Sequence, residues 1–594
     1  MKEPVSHSEL PVEMTWDLSK MYASVDDWEK DFRKIDPLVE KLQAFKGKLG
    51  ESPATLAAAF RAEDELGFLM EKLHTFAHLR SDEDTGISEN RGRVDRILSK
   101  SAEVEGETAW FEPEIMAIDR KRFQAFAESP ELEFYKLTLK RLEADRPHTL
   151  SEREERVLGL SSEIFAGPYK AFSVMNDADL RFPIVHDDQG GEVRLTHGNY
   201  IKLLESSHRE VRKEAFHGMY SVYEQFKNTF AAILDTAVRT HTVEAGLRNF
   251  KSALEASLHE DAVPVSVYNS LIDTVHDSME PLYDYFAFRA ERLGMEKLHM
   301  YDIHCPLVPE AALEVPWKDA VSMVKTALRP LGDLYGTILE RAFNERWIDI
   351  PEARGKRSGA YSSGCYQYPP YLLLNYSGNL DSVFTLAHEL GHSLHSYFSD
   401  HANDYHYAGY RIFVAEVAST TNEILLQRHL VSQTRSAAEK AYLLNHLIDT
   451  IRGTLFRQTM FAEFERDIHA MAEAGEPLTA DMLSDHYFKL NKRYHGPAVD
   501  PDDEIRYEWA RIPHFHYDFY VYKYATGISA ALALAKKILA GDTEGYLRFL
   551  KAGDSKEVID IMKDAGVDFT TPAPVKDAMS MFADQVKELK SCLK

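Results

Sequence analysis

The sequence predicts a mainly α-helical protein with more than one domain. Its 594 residues exceed what one compact core usually accommodates, so two or more domains, or one large multi-lobed body, are expected. Apolar residues recur at intervals of three and four over long stretches, which is the period of an amphipathic helix. Segments with strand character are few, so helices must supply most of the core.

The predicted elements follow in order along the chain. Helical periodicity marks three N-terminal segments: residues 26–45, 54–122 and 151–175. Residues 180–186 and 190–197 alternate apolar and polar side chains around a short turn, which predicts a hairpin. PYLLLNY, residues 370–376, predicts a short buried strand after a glycine-rich loop. The hairpin is the best boundary candidate, and we expect a helical N-terminal domain over 1–190 and a larger domain over 191–594.

Charge and cysteine content narrow the class of protein. There are 69 basic and 95 acidic residues, a net charge of −26, and such a surface repels nucleic acid and anionic lipid. No N-terminal apolar signal segment and no apolar run long enough for a membrane helix is seen in the sequence. Three widely spaced cysteines, Cys305, Cys365 and Cys592, form neither a disulfide framework nor a metal knuckle. We therefore expect a cytoplasmic protein.

Residues 388–392 read HELGH and match the pattern H-E-x-x-H. On a helix, His388 and His392 lie about 40° apart, so both imidazoles can hold one Zn²⁺ ion. Glu389 lies about 100° from His388, where it can act as general base on a water molecule at the metal. The surrounding helix is apolar nearly all round and is therefore predicted to be buried, with Asp381 as its N-cap.

A tetrahedral catalytic zinc site needs a third protein ligand. His395 shares the helix face, but it lies about 10 Å along the axis from His388, too far for bonds of about 2 Å. Glu416 is the better candidate, because it is a lone carboxylate in the apolar run IFVAEVA. The resulting His₂Glu set has the composition of a gluzincin. Glu423, seven residues later, is the candidate hydrogen-bond partner of a ligand histidine.

Two further segments are candidates for contact with a substrate. RIPHFHYDFYVYKYATG, residues 511–527, carries two histidines and four tyrosines, which can donate hydrogen bonds to an oxyanion or simply form an aromatic core. The loop and strand 357–376 contain Gly359 and Tyr361. Glycines there allow close approach to a peptide backbone, and a strand beside a metal helix can pair with an extended peptide.

Seven segments together match the pattern of one known family: TWDLSKMY, KRSGAYSSGCY, LDSVFTLAHELGHSLHSYF, VAEVASTTNEILL, RGTLFRQTMFAEFE, RIPHFHYDFYVYKYATGISAA and YLRFLKAGDSKEVIDIMKDAGVD. They follow in family order over nearly the whole chain, and through them the chain resembles the oligoendopeptidase F group of the thimet oligopeptidase-like zinc metallopeptidases. This resemblance is far more specific than the pentapeptide alone.

The resemblance implies a helical, bowl-like or clam-like body around a deep channel, with a small β element beside the metal helix. It implies one Zn²⁺ per chain, held by His388, His392 and Glu416, with Glu389 as general base. Short flexible oligopeptides would be the substrates, cut at internal bonds.

The same resemblance gives the oxyanion-stabilising residues as His514 and the pair Tyr520 and Tyr522, with Tyr522 favoured. Tyr517 is a candidate substrate contact. His516 stands where the family more often has tyrosine, so the choice between His514 and His516 stays open.

Two other functions remain possible on sequence alone. An exopeptidase on the same fold, such as a dipeptidyl carboxypeptidase or a carboxypeptidase, would need a cationic group for the substrate's terminal carboxylate, and the sequence does not place one. A helical peptide-binding protein with an inactive site would hold no zinc. The oligomeric state, the cleavage-site preference and the physiological peptide are not predicted.

Overall fold

The computed structural model describes residues 4–308 and 314–594, and helices form most of it, which confirms the predicted fold class. Short 3-10 and π-helical turns join many of the longer helices. The α-helices are α1 (Val25–Phe32), α2 (Ile35–Gln43), α3 (Pro53–Glu83), α4 (Ser88–Thr108), α5 (Phe111–Met116), α6 (Arg120–Ala127), α7 (Lys136–Asp145), α8 (Glu152–Phe165), α9 (Gly167–Val174), α10 (His197–Leu204), α11 (Arg209–Leu247), α12 (Ala253–Glu260), α13 (Val265–His276), α14 (Glu280–Arg292), α15 (Trp317–Ala327), α16 (Asp333–Asn344), α17 (Leu380–Ala402), α18 (Tyr405–Ala408), α19 (Ile412–Gln433), α20 (Ala437–Ile451), α21 (Arg457–Glu473), α22 (Ala480–His495), α23 (Tyr522–Leu539), α24 (Glu544–Ala552), α25 (Val558–Asp564) and α26 (Ala573–Cys592).

The described strands are short and form three small sheets. They are β1 (Ile184–His186), β2 (Glu192–Arg194), β3 (Leu298–His299), β4 (Ile348–Asp349), β5 (Tyr361–Ser363), β6 (Tyr371–Leu373) and β7 (Val499–Asp500). β1 and β2 form the predicted antiparallel hairpin, although each strand is shorter than expected. β3 pairs in parallel with β7. The third sheet has the order β4-β6-β5, and its fully buried central strand β6 is the one predicted from PYLLLNY.

Two compact units divide the described chain, and neither is continuous in sequence. The first contains residues 4–149, 314–426 and 534–566, and the second contains 150–308, 427–533 and 567–594. The predicted boundary at residue 190 divides the chain into two continuous domains, and it stays a prediction. Within the described residues, no helix is both long and apolar enough to span a membrane.

The core of the first unit joins the N-terminal helices to the three-stranded sheet. One buried cluster contains Phe60 and Phe76 of α3 together with Tyr371 and Leu373 of β6. The ring of Trp16 packs edge-on against Tyr371 at a centroid distance of 6.1 Å. Strand β6 is therefore held by apolar contacts on the side of the N-terminal helices, and β5 lies at the edge of the same sheet.

Helix α17, which carries HELGH, begins two residues earlier than its apolar pattern suggested. The N-cap is Asn379, whose Oδ1 accepts a hydrogen bond from the backbone N–H of Ser382 (2.9 Å). Asp381 is thus not the cap but lies in the first turn, where its negative charge faces the positive end of the helix dipole. The predicted burial of this helix is confirmed, since fourteen of its residues are buried.

Helices α17 and α19 pack with their backbones in contact at Gly391. A Cβ atom on Gly391 would lie only 2.5 Å from Cα of Ser419 and 2.7 Å from the carbonyl oxygen of Ala418. The side-chain amide of Asn422 also donates to the backbone carbonyl of Ala387 (3.0 Å), which ties the helices together one turn away. Glycine is required at position 391 because any side chain would separate the helices.

Gly391→Ala should therefore destabilise the protein by about 1–3 kcal/mol, since the added methyl group overpacks a backbone contact. Denaturant unfolding of the two proteins measures this difference. Gly336→Ala in α16 is the matched control, because a Cβ there meets open space and should be neutral or stabilise by about 0.5–1 kcal/mol. Equal effects of the two substitutions would contradict the close helix contact.

Candidate metal centre

The two histidines of HELGH converge on one point beside α17. The Nε2 atoms of His388 and His392 lie 3.2 Å apart, and their ring planes meet at 78°. This convergence follows from the helical spacing of four residues, which places both side chains on one face. The histidine side chains are partly open to solvent, with 29% of His388 and 18% of His392 exposed, although most of the helix is buried.

Glu416 of α19 completes a triangle of ligand atoms. Its Oε2 lies 3.4 Å from Nε2 of His388 and 3.4 Å from Nε2 of His392. Metal bonds of about 2.1 Å at tetrahedral angles put ligand atoms about 3.4 Å apart. Ser419 donates a hydrogen bond to the same Oε2 (3.0 Å) and fixes the carboxylate. The three residues therefore form a group that could hold a metal ion.

Glu423 orients the first histidine. Its Oε1 accepts a hydrogen bond from Nδ1–H of His388 (2.6 Å), so the lone pair of Nε2 faces the triangle. Burial works to lower the pKa of His388, but this hydrogen bond and the neighbouring carboxylates raise it to about 9. Burial likewise works to raise the pKa of Glu416, yet hydrogen bonding to His392 and the charges of both histidines lower it to about 2. The imidazoles and the carboxylates of this group thus stabilise one another's charged forms.

Glu389 lies next to the triangle without joining it. Its side chain is buried (7% exposed), and burial raises its pKa. A carboxylate with a raised pKa beside a metal group is a suitable general base. His395, which the axial distance excludes as a ligand, is fully buried and stacks on Tyr410 at 3.8 Å between ring centroids.

The edge strand β5 lies beside α17. The Oγ atoms of Ser362 in β5 and Ser393 in α17 are 2.7 Å apart. Tyr361 donates to Oδ2 of Asp82 (2.7 Å), so its hydroxyl is held within the protein. Gly359 adopts φ 87°, a conformation that favours glycine, and lines a cavity of about 250 Å³ together with Thr385 of α17.

The segment 511–527 places its aromatic residues in two different environments of the second unit. His514 is near Tyr524, whose hydroxyl lies 3.4 Å from Nε2 of His514, and Tyr520 packs against Tyr524 at 5.4 Å between ring centroids. Tyr522, in contrast, is fully buried and packs against Tyr268 at 5.1 Å. The favoured Tyr522 therefore does not share the face of His514.

His516 also separates from His514, whereas Tyr517 stays beside it, with 5.4 Å between the ring centroids of His514 and Tyr517. His516 packs on Phe172 (4.7 Å between ring centroids), and burial lowers its pKa to about 4. Tyr517 is 40% exposed, and its hydroxyl lies 2.9 Å from that of Tyr169. Tyr524 is not among the site residues predicted from the sequence. Its spacing of four residues from Tyr520 is a signal that could have indicated a shared face.

A metal-dependent hydrolase of the H-E-x-x-H class is the type of protein that this fold and ligand group define. Residues 202–581 match the model of Peptidase family M3, and residues 114–182 match that of Oligopeptidase F. The chain belongs to peptidase family M3, in its oligoendopeptidase F group, and is a metalloendopeptidase.

Several full-length relatives support this assignment. Oligopeptidase PepF of Bacillus subtilis is 42% identical over 99% of this chain and 88% of its own length. Oligoendopeptidase F (plasmid) of Lactococcus lactis subsp. cremoris is 38% identical over 98% of both chains. The crystal structure of oligoendopeptidase F from Enterococcus faecium is 39% identical, covers 96% of this chain and 99% of its own, and has a TM-score of 0.73.

Glu423→Gln should weaken metal binding about 10- to 100-fold, because the partner of His388 loses its charge. Competition of the apoprotein with a zinc chelator measures this affinity. Glu352→Gln, at an exposed position of the same unit, is the control and should leave the affinity unchanged. An unchanged affinity in Glu423→Gln would show that this carboxylate does not orient the ligand.

Proposed function

We propose that this endopeptidase is zinc-dependent and cleaves internal bonds of short, unfolded oligopeptides with Glu389 as general base. The observation that carries the proposal is the triangle of ligand atoms from His388, His392 and Glu416, with edges of 3.2, 3.4 and 3.4 Å. Two imidazole nitrogens and one carboxylate oxygen leave a fourth tetrahedral position open, as catalytic zinc sites do. The donor set therefore fits Zn²⁺. When bound, the ion lowers the pKa of a water molecule and polarises the scissile carbonyl group.

Glu389 has the position and the proton affinity for its role. As the residue after His388, it lies about 100° round α17 from that ligand, close enough for the charges of His388, His392 and Glu416 to act on its carboxyl group, and burial raises its pKa, which favours a base that can also return its proton. It would accept the proton of the attacking water and deliver it to the nitrogen of the leaving amine. The carbonyl carbon forms a C–O bond to the water oxygen, and its C–N bond breaks. Glu389 gives the amine the proton that it took from the water, so it returns to its starting state.

His514 and Tyr524, with Tyr520, are the proposed donors to the oxyanion. The family resemblance assigns this role to His514 and to a tyrosine of the 520–522 pair, and the contact of His514 with Tyr524 supports extending it to Tyr524. His514 is half-buried, and burial lowers its pKa, so the neutral imidazole can donate one N–H group. The burial of Tyr522 in the aromatic core argues for a packing role there.

The edge strand β5 is the proposed binding surface for the peptide backbone. An extended peptide can add to the edge of a sheet by main-chain hydrogen bonds, which favours unfolded substrates. Gly359 and Tyr361 are the proposed contacts on this strand and its preceding loop, and Tyr517 is a further candidate. The free state of the three cysteines supports our proposal of a cytoplasmic location.

Glu389→Gln tests the mechanism directly. The substitution keeps the size of the side chain but removes the base, so cleavage of a quenched fluorescent oligopeptide should fall by at least about 10²-fold. The metal content, measured by mass spectrometry, should stay at that of the native protein. Undiminished cleavage with metal retained would overturn the role of Glu389, and loss of metal in His392→Ala is the companion test of the ligand set.

Tyr524→Phe should lower kcat by about 10- to 10³-fold, because the variant loses a hydrogen-bond donor without losing the ring. Tyr522→Phe is the matched control and should have a much smaller effect on kcat if its role is packing. His514→Ala should likewise lower kcat while zinc content stays unchanged, since the three proposed ligands all lie in the first unit. A larger effect from Tyr522→Phe than from Tyr524→Phe would reverse the assignment.

A further inference from the structure

A second group of potential metal ligands lies in the second unit. His241 of α11, His469 of α21 and Asp518, in the loop before α23, each offer one ligand atom, and these atoms all lie within 4.8 Å of one another. Nδ1 of His241 lies 3.1 Å from Nε2 of His469 and 3.5 Å from Oδ1 of Asp518. These separations bracket the roughly 3.4 Å expected for ligands on a tetrahedral ion. They also resemble the edges of the triangle at His388.

The tautomer of His469 is fixed as in a metal ligand. Its Nδ1–H donates to the backbone carbonyl of Glu465 (2.8 Å), so the lone pair on Nε2 points at His241. His388 is oriented by the same device, with Glu423 as the acceptor. An engaged second nitrogen is the usual condition of histidines that bind metals. His469 is buried (1% exposed), which makes an unused lone pair costly.

Asp518 supplies the negative charge of the group. Its Oδ1 is buried without a hydrogen-bond partner, while 37% of the side chain is open to solvent. The peptide group that follows Asp518 is anchored, because Ser257 donates to the backbone carbonyl of Asp518 (2.6 Å) and the amide of Phe519 donates to Glu465 (2.7 Å). These two hydrogen bonds hold the backbone of Asp518 beside the two imidazoles.

Burial disfavours the charged form of each of the three side chains. Burial lowers the pKa of His241 to about 4 and that of His469 to about 3, so both imidazoles are neutral at pH 7, as metal binding requires. Burial and the charge of Glu244 raise the pKa of Asp518 to about 7. Among the described residues, no lysine or arginine forms an ion pair with Asp518.

We propose that His241, His469 and Asp518 bind a divalent transition-metal ion of the Zn²⁺ type, separate from the ion at His388. Two imidazole nitrogens and one carboxylate oxygen suit Zn²⁺, Co²⁺, Ni²⁺ or Fe²⁺ and do not suit Ca²⁺ or Mg²⁺. The ion cross-links α11 and α21 to the loop between His514 and Tyr520 and fixes that loop. The proposal does not depend on the catalytic mechanism above.

The competing arrangement is a simple hydrogen bond between the histidines. Nδ1–H of His241 can donate to Nε2 of His469, and the nearly parallel rings (6°) permit this. That arrangement leaves Oδ1 of Asp518 buried and unpaired, which is unfavourable. An ion bound to all three atoms would satisfy them at once, and this difference favours the metal.

Metal stoichiometry tests the proposal. After equilibration with excess Zn²⁺ and removal of loosely bound ions, the native chain should hold two ions. His392→Ala and Asp518→Asn should hold one each, and the double variant should hold none. Asp273→Asn, at an exposed position of the same unit, is the matched control and should hold two. The proposal is wrong if the native chain holds the same amount of zinc as Asp518→Asn, or if His392→Ala holds none. His241 and His469 would then be joined only by a hydrogen bond.

Two further measurements keep the test decisive if Asp518→Asn fails to fold, as judged by circular dichroism. His241→Gln removes a ligand from a different element and should also lose one ion. Crystals of the native protein grown with Zn²⁺ should show an anomalous scattering peak about 2.1 Å from Nδ1 of His241 and Nε2 of His469. A peak at His388 and His392 without one here would overturn the proposal.

Discussion

The close contact between α17 and α19 at Gly391 is the constraint on which the metal centre depends. Ligand atoms must lie about 3.4 Å apart to share one tetrahedral ion, and a glutamate side chain has limited reach. With Gly391 against the backbone of Ser419, Glu416 brings Oε2 to 3.4 Å from both imidazoles. A side chain at position 391 would move α19 outward and open the triangle. The glycine is therefore as necessary to the site as the ligands that flank it.

Burial and charge act together at this centre. The helix α17 is buried over most of its length, so its polar side chains need partners. Glu423 serves His388, Ser419 serves Glu416, and Ser393 faces Ser362 of the edge strand. Glu389 differs from Glu416 and Glu423, because burial raises its pKa and no described hydrogen bond of its side chain offsets this. Of these three carboxylates, it is the one to which the proposed mechanism assigns proton transfer.

Most of the candidate metal group could be predicted from the sequence, because short stretches of two helices contain all of its residues. The spacing of His388 and His392 fixes their common face, and a lone carboxylate in an apolar helix indicates Glu416. The cap at Asn379, two residues earlier than Asp381, depends on where the chain enters the helix, which periodicity does not determine. The non-contiguous units depend on contacts between distant segments. His241, His469 and Asp518 come from three elements without a motif, so only the fold brings them together.

The aromatic segment shows why side-chain direction needs the three-dimensional structure. Tyr520, Tyr522 and Tyr524 alternate along the sequence, and a choice among them requires knowing which lie on the same side as His514. The start of α23 at Tyr522 makes Tyr520 and Tyr524 neighbours and turns Tyr522 toward Tyr268 in the core. The proposed metal ligands and this aromatic group belong to different units. Substitutions that affect metal affinity and substitutions that affect the proposed oxyanion donors should therefore separate in measurement, because the two groups belong to different units.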